Sequence, residues 1–149
     1  MQVFELTQAS QKLFERACAV STRLRHHYVE PEHFVLAMVI DVNTRLARML
    51  HRHGMNPDTV LDVVIDMHEI FPQGQERVLE HLTQASTKII NTSISFAWRQ
   101  HKSLATPEHI LVMLIESKNE NVRLLFKKLG VNPDRVSAEA TEMILSTVN

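Results

Sequence analysis

"EPEHFVLAM" at residues 30–38 returns 76 positions later as "TPEHILVML" at residues 106–114. Each is a Pro-Glu-His followed by an apolar run. Two further pairs keep the same spacing without a gap: "LTQAS" at 6–10 and 82–86, and "GMNPDTV" at 54–60 against "GVNPDRV" at 130–136. Three matches in register describe a duplicated unit, and a repeat sets architecture before any other feature is weighed. Two copies are too few for a solenoid. The economical arrangement is one pseudo-symmetric domain over residues 1–149, with repeat one at about 4–71 and repeat two at about 80–147. Each half then covers the apolar face of the other.

The same punctuation divides each half into four helical segments. The first opens at a threonine N-cap, Thr7 or Thr83, and carries apolar residues at helical spacing: Leu13, Ala17, Val20 and Leu24, then Ile89 and Phe96. The second opens at the Pro-Glu-His. Proline fits the first helical turn, where its missing N–H costs nothing, and Thr106 supplies a capping hydroxyl that Glu30 matches poorly. The third runs from about Asn43 or Asn119 to Gly54 or Gly130, glycines placed for a left-handed stop. The fourth opens with Asn-Pro-Asp: cap, first-turn proline, and an aspartate beside the positive helix end. "FPQGQ" at 71–75 links the halves. The expectation is an all-α fold of eight helices in two sets of four.

Phe34 to Ile40 is apolar on every side, and Ile110 to Ile115 nearly so. A helix apolar all round is buried, so these two are the expected central elements. In that setting Pro-Glu-His is a start signal, with Glu32 and Glu108 favoured by the helix dipole and His33 and His109 packed inward or bonded to a nearby carbonyl. A glutamate at the lip of a helix start is expected to be exposed. Exposed twice, it would make two equivalent anionic sites.

Composition narrows the function classes. The chain is 44% hydrophobic and 22% charged, with only three glycines and five prolines, which favours long helices. Seventeen acidic against sixteen basic residues give a net charge of −1, so no bulk field collects nucleic acid or anionic lipid. The longest apolar run is too short to span a bilayer, no basic-then-apolar leader opens the chain, and the single cysteine suits a reducing compartment. A cytoplasmic protein without membrane or nucleic-acid partners is expected. With Gly54, Gly74 and Gly130 alone, no Walker loop can be written, so the chain is read as no enzyme and as needing no cofactor.

Nine histidines invite a metal reading. His51 and His53 are two apart and fall on different helix faces, and there is no His-Glu-x-x-His. His26, His27 and His68 would approach one another if the first and fourth helices of a repeat pack together. No metal site is assigned. Cys18 has no histidine within a helical turn and reads as a half-buried inert thiol. Phe96 and Trp98 read as packing residues, with Trp98 an alternative anchor for a partner.

The order of elements, the doubled Glu-His before an apolar run and the Gly-x-Asn-Pro-Asp after each third helix resemble the N-terminal domain of Clp-type AAA+ unfoldases. The resemblance covers about Phe4 to Leu145. It implies two four-helix repeats that dock adaptor proteins and unfolded or tagged substrates for an ATPase ring, in cis or in trans. In ClpC-type members the glutamate of each Glu-His pair is implicated in binding phosphorylated arginine, and Glu32 and Glu108 are the matching residues. This chain departs from the pattern before the glutamate, where Gly-Thr is replaced by Glu-Pro and Thr-Pro, and after the buried helix, where "DVNTR" and "SKNEN" stand for a glycine-rich turn. Proline removes a donor N–H there.

Candidate partner-binding residues are therefore Glu32, Glu108, Glu30 and Thr106, with Phe71 at the repeat junction as a second surface. Beginning at Met1 and ending in "LSTVN", the chain reads as the docking domain of an unfoldase, apart from its ring. The alternatives are a free-standing adaptor or competitor of the same fold, and a histidine-based metal-binding helical protein.

Overall fold

A computed structural model describes residues 5–26, 28–68 and 82–146. Among them lie eight helices: α1 (Gln8–Arg23), α2 (Pro31–Ile40), α3 (Arg45–Arg52), α4 (Pro57–Met67), α5 (Gln84–Arg99), α6 (Pro107–Glu116), α7 (Glu120–Leu129) and α8 (Pro133–Ser146). Adding 76 to the bounds of α1 and α2 reproduces those of α5 and α6. The expected start signals operate. Thr7 and Thr83 accept the N–H of Ser10 and Ser86, Asn56 accepts that of Thr59, and Thr106 that of His109. Thr44, rather than Asn43, caps α3. Gly54 and Gly130 hold φ of +93° and +68°, the left-handed conformation that ends the third helix of each half.

Helix α2 is buried from Pro31 to Val39, as its all-round apolar sequence requires, and α6 is buried from Glu108 to Ile115 except at Met113. Fully burying each large side chain contributes about 1.5–3 kcal/mol. Phe34, Leu36, Ile110, Leu111 and Leu114 are thus the main source of cohesion. α2 packs on α1, α3 and α4 of its own half and on α7 of the other; α6 packs on α5 and α8. The buried apolar residues of both halves form one cluster.

The repeated "LTQAS" stitches the halves together. Leu6 bridges Ala105, and Leu82 bridges Val29, each in parallel. Thr7 N–H donates to Ala105 O at 3.0 Å and Thr83 N–H to Val29 O at 3.2 Å. The buried hydroxyls of Ser10 and Ser86 donate to the same two carbonyls at 2.8 Å. Each half therefore satisfies the backbone just ahead of the other half's Pro-Glu-His helix, and a buried carbonyl left without a partner would be costly. Glu139 of α8 adds a link, accepting from Arg52 and lying 2.8 Å from His53 Nε2. No helix among the described residues is long and apolar enough to cross a membrane.

Candidate functional site

A groove of about 570 Å³ runs between α1 and α2 and is closed at one end by the start of α6. Leu13, Ala37, Met38 and Leu46 make an apolar floor; Lys12, Arg16, Asp41 and Arg45 bring charge to it; Thr106, Pro107 and Glu108 come from the second half. The end wall is placed by the cap of α6, since Thr106 must stand outside the helix for its Oγ1 to meet the His109 N–H. Duplication builds a second groove of about 390 Å³ at matching positions, Ala85, Lys88, Ile89, Thr92, Met113 and Ser117. Met113 there replaces Ala37, a larger side chain in the smaller space, and among the described residues the walls come from the second half.

The expectation of two exposed, equivalent anionic sites is not met. Glu32 is 0% exposed and Glu108 6% exposed. Buried charge has to be matched, and each glutamate is matched across the pseudo-symmetry. Glu32 Oε2 accepts from Asn121 Nδ2 at 2.9 Å and from His68 Nε2 at 2.5 Å. Glu108 Oε2 faces Arg45 Nε at 3.5 Å, and that arginine side chain is 49% exposed. Glu108 borders a groove, whereas Glu32 is sealed beneath α7. Glu30, beside Glu32, is half-buried, and burial first and the Glu32 charge second push its carboxyl pKa upward. Phe71 lies outside the described residues.

Residues 5–80 and 81–148 each match the family model described as the Clp repeat (R) N-terminal domain. The chain belongs to that family. Over 140 residues it is 24% identical to the ClpC ATP-binding subunit of the ATP-dependent Clp protease of Staphylococcus aureus (strain USA300), covering 93% of this chain and 17% of that protein's length. Its fold is that of the N-terminal domain of ClpD from Arabidopsis thaliana, with a TM-score of 0.82, 14% identity and 98% of each chain covered. The Hsp104 N-terminal domain from Candida albicans follows at 0.79, with 18% identity and 96% and 93% coverage. A complex of the ClpV N-domain with a VipB peptide matches at 0.62, with 13% identity and 91% and 84% coverage.

Within the Clp repeats the histidines divide by role. His33 and His109 are buried, packed inward as expected. Their Nδ1 atoms accept the backbone N–H of Glu30 and Thr106, at 2.9 and 3.0 Å, closing a capping box. His109 Nε2 then meets Gln100 Oε1 at 2.8 Å, which sets the tautomer with the proton on Nε2. Burial, then the Lys102 charge, lower the His109 pKa to about 4. His26 and His68 do meet, with ring centroids 4.6 Å apart, and both lie beside His33 at the start of α2. His33, which was missed as their neighbour, completes the group; its seven-residue spacing from His26 was the available signal. His27 lies outside the described residues. Cys18 is buried, and Phe96 sits edge-on to His109. Trp98 departs from its expected packing role and is 59% exposed.

Proposed function

We propose that this Clp repeat domain is a non-catalytic protein-binding module serving a Clp-type ATP-dependent unfoldase. It docks a segment of an adaptor, or of an unfolded or tagged substrate, for an ATPase ring carried on the same chain or met in trans, in the cytoplasm. The observation that carries this reading is the groove between α1 and α2: an apolar floor for side chains, a rim of both charges, and walls from both halves. Such a surface suits a short peptide segment, in which apolar anchors contribute affinity and rim charges select partners. The ClpV N-domain solved with a VipB peptide supports this class of partner.

Of the anticipated residues, we assign Thr106 and Glu108 to partner contact, because they border the groove. Glu32 and Glu30 act on the same process from beneath, by holding the start of α2. The burial of both glutamates favours recognition of apolar and mixed-charge segments over capture of a lone arginine modification.

Isotope-labelled protein titrated with a peptide array and with an unfolded model protein tests the assignment. Amide shifts are expected at Ala9, Lys12, Met38 and Thr106, and Ala9→Trp, which fills the groove from an exposed position, is expected to weaken binding at least tenfold while the fold persists. Shifts confined to other surfaces, with Ala9→Trp binding normally, would remove the groove from the function.

A further inference from the structure

Four ligand-bearing side chains converge where the end of α1, the start of α2 and the end of α4 meet. His26 and His33 are buried, His68 is 14% exposed at its side chain, and Glu32 is wholly buried. One ring nitrogen from each of the three histidines lies within 4.8 Å of the others. Glu30, Glu32 and His68 form a separate group under the same limit, so the histidine group and the carboxylates meet at His68. His26 Nδ1 and His33 Nε2 stand 2.8 Å apart, and His68 Nε2 and Glu32 Oε2 2.5 Å apart. Among the described residues, Glu32 Oε1 is buried with no hydrogen-bond partner. Such an acceptor in a dry interior is costly unless something occupies its lone pairs.

The duplicated half provides an internal comparison. At the positions equivalent to His26, His33 and His68 it carries Lys102, His109 and Ile144, and it builds the same helix junction. The second half therefore keeps the capping histidine and builds the same junction without the other two. His109 shares the capping role of His33, whereas the second half has no counterpart to His26 and His68.

We propose that His26, His33 and His68 form a binding site for a divalent transition-metal cation of the zinc type, with Glu32, which bonds His68, drawn in as the fourth ligand. Three imidazole nitrogens and one carboxylate oxygen make a borderline N/O donor set suited to a tetrahedral ion, and four protein ligands leave no open position, the pattern of a structural site. The cation takes the place of the protons shared in the two short contacts. His26 ligates through Nδ1 and keeps its Nε2 proton, and His68 gives up its Nε2 proton. His33, whose Nδ1 now accepts the Glu30 N–H, ligates through Nε2 once its remaining proton moves to Nδ1. That exchange gives up one backbone hydrogen bond for a set of metal–ligand bonds, and it marks the Glu30 amide as a reporter. Glu32 and the neighbouring Glu30 supply negative charge against the ion. Once bound, the metal staples the ends of α1 and α4 to the start of α2.

The test uses tag-free, chelator-treated protein titrated with Zn2+ against a competing fluorescent chelator, and with Co2+ followed by its visible absorption. One Zn2+ per chain, a rise in melting temperature, an intense tetrahedral Co2+ band and a shifted Glu30 amide are expected. His68→Gln and Glu32→Gln are each expected to weaken Zn2+ binding at least tenfold, and the exposed His101→Ala to leave it unchanged. Absence of stoichiometric Zn2+ binding to the unsubstituted protein overturns the site without reference to any variant. So does a weak octahedral Co2+ spectrum, or Zn2+ binding that survives His68→Gln.

Discussion

Arg45 and Asn121 occupy equivalent places 76 residues apart, and each reaches across the molecule to the glutamate of the opposite Pro-Glu-His. The contact is conserved by the pseudo-symmetry and its chemistry is not. A half-exposed guanidinium faces Glu108, while a neutral amide and an imidazole face the sealed Glu32. One duplicated glutamate has thereby become a groove wall in one half and an interior group in the other.

That difference sets the cost of removing each carboxylate. Glu32→Gln leaves His68 beside a neutral group in a buried site and is expected to cost about 2–4 kcal/mol. Glu108→Gln disturbs a pair whose arginine is half in water and is expected to cost about 0–1 kcal/mol. Urea denaturation of the two variants with unchanged m-values checks this, and equal costs would contradict the two environments.

Stability is expected to fall on both sides of about pH 6.5. The His68 pKa is raised, first by its hydrogen bond to Glu32 and against the effect of burial. Its contribution is fully present below the unfolded value of 6.5 and is lost as pH rises through the folded value. The His109 pKa is lowered to about 4, so its contribution is present above 6.5 and is lost as pH falls towards 4, by at most about 3 kcal/mol. Calorimetry across pH should show both limbs. His68→Gln should flatten the alkaline one alone, and the His109 ring should resist protonation until well below pH 6.

The reciprocal seryl bonds are expected to be equal in value. Ser10→Ala and Ser86→Ala each remove a buried hydroxyl bond at 2.8 Å while the carbonyl keeps one backbone N–H, a loss of about 1 kcal/mol. Exposed Gln8→Ala should lie within about 0.5 kcal/mol of the parent protein. Chemical denaturation separates the two outcomes.

Gly130→Ala should destabilise by about 1 kcal/mol although nothing stands within 4 Å of the added methyl, because φ of +68° disfavours any L side chain. Gly54→Ala should cost at least as much at φ of +93°, with Val131 Cγ2 at 3.9 Å. A neutral result in thermal melts would refute left-handed strain as the reason for glycine.

Trp98 is the chain's single tryptophan and stands in water, so its fluorescence is expected at long wavelength and open to quenching by iodide. Trp98→Ala should change stability by no more than about 0.5 kcal/mol. Blue-shifted, unquenched emission would place the ring in a contact absent from this structure.

Local chemistry accounts for the features that were legible in the sequence. Thr7, Asn56, Thr83 and Thr106 cap the helices that follow them because a short side-chain oxygen meets free N–H groups wherever the chain turns into a helix. Gly54 and Gly130 end helices because they lack a Cβ. The all-round apolar runs of α2 and α6 could only be interior, and the repeat announced itself by spacing. Glu32 was misjudged because its helix start is capped by the other half's α7, and no one-dimensional pattern reports what lies across a pseudo-symmetry axis. Trp98 was misjudged for the converse reason: helical spacing identifies a face but not whether another element covers it.

The sequence alone therefore determined eight helices, their starts and stops, and the duplication, since these depend on interactions within a few residues. Tertiary structure decided that "LTQAS" holds the opposite half's backbone, that one glutamate borders a groove while its twin is entombed, and that three histidines from three elements share a pocket. These depend on the distance between atoms far apart in the chain, and only packing sets that distance.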